Sequence, residues 1–339
     1  MKLRVIHRTS YHYQDNVDLA QHMVHLTPVD SATQRVLSHA LRIDPEPATR
    51  HAITDAFGNH RTYFSLQAPH ETLSVEADSL IHTQTATNLC EHPPWQDLRW
   101  EQVREHFRYR AQARYDAASE FLFASPRVPR DDRFAAFVRP AFAPGQPLLE
   151  ATRALMERIH TELSFDAAST DVNTPALQAL EQGKGVCQDF AHIMLGCLRS
   201  LGLAARYVSG YLLTQPPPGK ARLLGADASH AWVSVYLPRP HDAGASTPAP
   251  TPALAPADSD PPSSNKIISG AWFDFDPTND RWGWGSPGED YVRLASGRDF
   301  SDVSPMRGVI QSGAAHTLDV AVTVAPAAEP GPASASLSR

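Results

Sequence analysis

The chain has 339 residues, enough for two hydrophobic cores, and its 42% hydrophobic and 20% charged residues are ordinary for a soluble globular protein. The formal net charge is −7 and the basic residues, mostly Arg, are scattered singly, which argues against a nucleic-acid partner. No window approaches the length of a membrane span, so no membrane partner is expected.

The chain begins MKLRVIHRTSYHY. Charges interrupt it where a secretory leader needs an unbroken apolar run, so the expected location is cytoplasmic. Leu3, Val5 and His7 alternate with Arg4, Ile6 and Arg8. A second alternating run covers 37–43, with Leu37, Leu41 and Ile43 on one face and His39 as its imperfect member. The turn Asp55-Ala-Phe-Gly58-Asn59 precedes a strand at 61–66, and 73–77 reads as another. Residues 1–90 are therefore expected to form an antiparallel β domain of short strands.

His92-Pro-Pro94 breaks that pattern, and 91–147 reads as a mixed helical and irregular connection punctuated by Pro126, Pro129 and Pro140. Residues 148–163 carry apolar residues at helical spacing. A second helix is expected from Thr174-Pro175, with Thr174 as cap, to Gly183. A third, buried helix is expected over 187–200, with Phe190, Ile193, Met194, Cys197 and Leu201 as its stripe and Gly202 as its stop. Strands follow at 205–213, 230–237 and 272–276. Between the last two, 238–266 is rich in Pro, Ala, Ser and Asp and reads as a disordered insertion. Residues 317–324 alternate as a final strand, and 326–339 read as a loose tail. The sequence thus places a second domain over 148–325.

The three cysteines, Cys90, Cys187 and Cys197, are too few for a disulfide framework and suit a reducing compartment. Cys187 follows a Gly-Lys-Gly turn and opens the buried helix. There the helix dipole favours a thiolate, and the free amides of the first turn can stabilise an oxyanion. The competing role for such a cysteine is that of a small buried apolar residue. Asp189, in the first turn, suits a helix start better than catalysis. Cys197, ten positions on, is rotated away and reads as core.

In the strand at 230–237, His230, Trp232, Ser234 and Tyr236 share one face; in 272–276, Trp272, Asp274 and Asp276 do. An antiparallel hairpin sets the start of the first beside the end of the second. A register pairing His230 with Asp276 also sets Val233 opposite Phe273 and Val235 opposite Ala271. Asp276 would then fix one imidazole nitrogen and leave the other to take a proton from a thiol. Taken alone, His230 is one of sixteen histidines, and Asp276 a residue before a Pro-Thr-Asn turn. Gln188 is an oxyanion candidate that could equally be a surface residue, and Trp232 is a pocket candidate that could simply pack. His192 suits a core polar contact or solvent. His7, His12, His22 and His25 match no metal spacing and read as polar residues on strand faces, so no metal is expected.

Four blocks then appear in order: Gly185-Val-Cys187-Gln-Asp-Phe-Ala-His192, Arg206-Tyr-Val-Ser-Gly-Tyr211, Asp227-Ala-Ser-His-Ala-Trp232 and Phe275-Asp-Pro-Thr-Asn279. They resemble the bacterial transglutaminase-like family, and 291–305 resembles its C-terminal signature. The first eighty or so residues resemble the β region that often precedes such domains. The resemblance implies a papain-like α+β fold, with a Cys-bearing helix on an antiparallel sheet. It implies Cys187 as nucleophile, His230 as general base and acid, and Asp276 as orienter. The long Pro-rich insertion departs from the family pattern. The activity implied is acyl transfer on a peptide or protein amide through a thioester, without a cofactor. Hydrolysis is the expected outcome, with transamidation or a non-catalytic peptide-binding module as alternatives.

Overall fold

A computed structural model describes residues 1–85, 95–111, 115–214, 228–239, 270–311 and 315–327. Cys90, nearly all of the Pro-rich insertion and all but the first two residues of the tail lie outside the described residues.

The N-terminal unit is built from β1 (Lys2–Val17), β2 (Leu19–Thr27), β3 (Gln34–Asp44), β4 (Thr49–Thr54), β5 (His60–Leu66) and β6 (His70–Thr83). The strands expected to be short include two long ones, β1 with 16 residues and β6 with 14. Alternation persists along both: Leu3, Val5, His7 and Thr9 face inward from β1, and Leu73, Val75, Ala77, Ser79 and Ile81 from β6. In β3 a bulge between Val36 and Ser38 breaks the register. Leu41 and Ile43 stay buried while Leu37 is turned outward, 49% exposed, against the sequence expectation.

The connecting region holds α1 (Trp100–His106) and α2 (Asp132–Val138), followed by α3 (Leu148–Glu162). The two-residue strands β7 (Ser164–Phe165) and β8 (Lys184–Gly185) pair in parallel and flank α4 (Ala176–Gln182). Helix α4 ends on Gly183 at φ +63°, a conformation glycine adopts without a Cβ penalty. Thr174 does not cap it; its hydroxyl accepts from the Asp171 amide instead. Helix α5 (Cys187–Ser200) is buried nearly all round, from Asp189 to Arg199.

Strands β9 (Ala205–Leu212), β10 (Ser229–Pro238), β11 (Gly270–Asp276), β12 (Arg281–Trp284) and β13 (Tyr291–Gly297) form one antiparallel sheet in the order β12-β11-β10-β9-β13. Helix α5 packs on its inner face against Tyr207, Val233, Val235 and Phe275. The chain then runs through α6 (Phe300–Val303), β14 (Met306–Gln311) and β15 (His316–Pro326).

The last two strands leave the second domain to which the sequence reading assigned them. β14 pairs with β2 and β15 with β1, so both ends of the described chain build the β unit. The reason is burial: Val322 and Val324 join the core of Leu3, Val5 and Ile81. That core continues into Tyr211, Val292 and Leu294 of the five-stranded sheet, welding the two units together. Strand β13 is the edge of that sheet, and the β unit satisfies it with side-chain amides. Gln34 brackets the Arg293 N–H and C=O, and Asn59 brackets those of Ser296, each bond 2.8 Å. Two amide side chains do there what a sixth strand would do.

Candidate active site

Cys187 is the first residue of α5, after Val186 in extended backbone. The turn that delivers it is tight: a Cβ on Gly185 would lie 2.7 Å from Asp189 Cβ. Asp189 ties the turn to the helix, accepting from the Val186 amide at 2.8 Å and the Thr170 hydroxyl at 2.7 Å. It is a helix-start residue, fully buried, and burial pushes its pKa up. The Cys187 and Gln188 amides, in the first turn, have no intrahelical acceptor.

His230 and Asp276 meet on the outer face of the sheet. The ring Nε2 lies 2.6 Å from Asp276 Oδ2. The hairpin register that joins them is not the expected one. Val233 pairs with Phe275 and Val235 with Phe273, a shift of two residues from the His230–Asp276 alignment. A two-residue shift preserves the faces, because side chains alternate with period two. His230 therefore still reaches Asp276, diagonally across the strands.

Asp276 is fully buried and held by five donors. Oδ2 accepts from His230, from the Tyr291 hydroxyl at 2.7 Å and from Asn279 Nδ2 at 2.8 Å. Oδ1 accepts from the Thr278 amide at 2.9 Å and the Asn279 amide at 3.3 Å. Burial would raise its pKa, but the bond and charge of His230, with Tyr291 and Asn279, hold it below the usual carboxylate value. Burial likewise opposes a charge on His230; the bonds to Asp276 and to Cys187 overcome it and raise the imidazole to about 10. With Nε2 committed to Asp276, Nδ1 is the nitrogen left for the sulfur. The three residues named from sequence thus converge, and the ring between them is poised as an imidazolium.

The sulfur lies in a cleft of about 190 Å³ walled by Tyr207, Tyr211, Leu294, Phe300 and Pro305, with Gln188 at its rim. The Gln188 side chain donates through Nε2 to the Val172 carbonyl at 3.3 Å. Trp232, a candidate either to shape a pocket or to pack, does not line this cleft. It is 1% exposed, stacked behind His230 with ring centroids 6.1 Å apart, and its Nε1 donates to Asp274 at 3.0 Å. Ser234 and Arg293 also donate to Asp274. Trp232 is therefore a fixed platform for the imidazole.

His192 is buried, and burial pushes its pKa down to about 3. Its neutral Nε2 accepts from the Phe300 amide at 3.2 Å, fixing one wall of the cleft. Cys197 is fully buried, and burial pushes its thiol up. His7 bonds Tyr211 and Thr9, His25 meets the Ser304 carbonyl, and His22 stacks on Phe64, all inward from the β unit. Among the described residues no group of three or more His, Cys, Asp or Glu is placed to hold a metal ion. No helix among them is long and apolar enough to cross a membrane.

Residues 3–82 match the bacterial transglutaminase-like N-terminal region, and 135–244 match the transglutaminase-like superfamily core. An uncharacterized protein of Mycobacterium tuberculosis H37Rv is 36% identical over 328 residues, covering 96% of this chain and 93% of the relative. The chain belongs to the transglutaminase-like superfamily. A Mycobacterium leprae protein, also uncharacterized, is 29% identical over 95% of this chain and 98% of its own length. The fold is shared with a candidate cysteine protease from Cytophaga hutchinsonii, at a TM-score of 0.62 and 19% identity over 96% of this chain and 90% of that one.

The superfamily match contains Cys187 and His230 and stops before Asp276. The carboxylate is joined to them by the β10–β11 pairing. Sequence reasoning missed Tyr291 and Asn279. Asn279 stood in the block that begins at Phe275, and Tyr291 opened the C-terminal one, so the blocks themselves were the available signal.

Proposed function

We propose that this protein is a cysteine-dependent acyl-transfer enzyme acting on peptide or protein amides, with Cys187 as nucleophile, His230 as general base and acid, and Asp276 as orienter. The observation that carries this reading is the imidazole itself. It is bonded at 2.6 Å to a buried carboxylate and hydrogen-bonded to a sulfur at the head of a buried helix.

The imidazolium is the counter-ion a thiolate needs, and the helix dipole adds to it. The thiolate attacks the amide carbonyl. The oxyanion forms within reach of the Cys187 and Gln188 amides, a role the Gln188 side chain can assist from the rim. His230 gives its proton to the departing amine, and a thioester remains on Cys187. The now neutral ring takes a proton from water, the resulting hydroxide attacks the thioester, and the acid and thiolate leave. An amine in place of water gives transamidation by the same steps. Water is the acceptor we favour, because Cys187 is partly exposed and solvent reaches the ester. The free thiols Cys187 and Cys197 suit a reducing compartment, in keeping with a cytoplasmic enzyme.

The test is incubation with a peptide mixture, with and without a primary amine, followed by assay of new carboxyl and amino termini and of incorporated amine. Hydrolysis yields new termini whether or not the amine is present. Both products must vanish in Cys187→Ala; their persistence there rejects the mechanism.

A further inference from the structure

Arg206 stands beside Tyr207 on β9, and strand alternation turns it to the opposite face from Tyr207, the face that carries its β10 partner Ser234. Its guanidinium lies over the Trp272 ring, 4.0 Å from the centroid. Its Nε is buried without a hydrogen-bond partner. Besides burial, two charges act on it: Arg293 repels and Asp274 attracts. Asp274 is already engaged by Trp232, Ser234 and Arg293. Two guanidinium groups thus share Asp274, and the Arg206 Nε is left without an acceptor in a covered position, which is costly unless one joins it.

A cavity of about 740 Å³ opens at this guanidinium, with Phe57, Phe121, Tyr236 and Trp272 as aromatic walls. The other charged groups on its walls already hold hydrogen-bond or ion-pair partners. Asp116 accepts from His106 at 3.0 Å and Tyr236 at 2.9 Å, Glu120 accepts from the Tyr115 hydroxyl at 2.8 Å, and Arg298 is bonded to Asp302 at 2.9 Å. The site is remote from the sulfur. His230 and Tyr236 are six residues apart on β10, roughly 20 Å at about 3.3 Å per residue.

We infer that this cavity is a second binding site, which takes a small carboxylate on a flat apolar body. The carboxylate meets the Arg206 guanidinium, whose planar fork suits it, and the body packs against Trp272, Phe57 and Phe121.

Titration calorimetry of the full chain with indole-3-acetate, and with its uncharged twin indole-3-acetamide, tests this. The acid should bind saturably, one per chain, and at least tenfold more tightly than the amide. Arg206→Gln should weaken the acid at least tenfold and leave the amide little changed. Prior alkylation of Cys187 with iodoacetamide should leave the affinity unchanged. Absence of saturable binding, equal affinity for acid and amide, undiminished binding in Arg206→Gln, or loss of binding on alkylation would each overturn the proposal. Should Arg206→Gln fail to fold, the comparison of acid with amide on the unaltered chain decides it.

Discussion

Tyr291 donates its hydroxyl to the same Asp276 oxygen that holds the His230 ring, at 2.7 Å. It reaches that oxygen from β13, the opposite edge of the sheet from β12. Deleting one bond to a buried charged acceptor costs about 1.5–3 kcal/mol, or roughly tenfold and more in a rate that depends on it. Tyr291→Phe is expected to lower kcat by about that factor with little change in KM. It should also move the acid limb of the pH–rate profile upward, because Asp276 loses a group that depresses its pKa. A residue that only packs would leave that limb in place.

His230 is raised from 6.5 to about 10, so its stabilisation is complete below about pH 6.5 and is lost as pH rises through about 10. Asp276 is depressed, so its contribution is present above its ordinary value of 3.8 and is lost only as pH falls through the lower folded one. Unfolding midpoints in urea are therefore expected to fall between about pH 6.5 and 10. Asp276→Asn should flatten that slope and move the alkaline limb of Cys187 alkylation to lower pH.

Gly185 has no room for a methyl group: its Cβ would meet Asp189 Cβ at 2.7 Å and Oδ2 at 2.8 Å. Gly185→Ala is expected to destabilise the fold by about 1–3 kcal/mol, the usual scale of overpacking. Because Asp189 holds the turn that presents Cys187, the rate of Cys187 alkylation in the folded state should drop as well.

Gln188 and Trp232, neighbours of the nucleophile and the base in sequence, should behave oppositely in unfolding experiments. Trp232→Phe removes the donor to buried Asp274 and should cost about 1–3 kcal/mol. Gln188→Ala, at the cleft rim, should stay within about 0.5 kcal/mol and be felt instead in turnover.

The sequence was most legible where one period ran through one element. The apolar stripe of α5, the turn before Cys187 and the alternation of β10 and β11 gave the helix, its head and the shared face of His230 and Asp276. The register was misjudged by two residues because side-chain alternation is blind to a shift of two. What lay between distant segments was not legible at all. Nothing local in 306–326 says that it pairs with the first two strands, and nothing in Gln34 or Asn59 says that they finish the edge of β13. For Trp232 the strand face was legible, but the choice between lining a pocket and packing depends on Asp274 and Arg293 from two other strands.

The central claim is that the sulfur of Cys187 carries the acyl group in mid-reaction. Rapid acid quench after mixing with a peptide library, followed by peptide mass spectrometry, tests it most directly. The account predicts an added acyl mass on the tryptic peptide containing Cys187, removed by neutral hydroxylamine and accumulating further in His230→Ala if any acylation survives there. A turning-over enzyme with no such adduct, or the same adduct in Cys187→Ala, contradicts it.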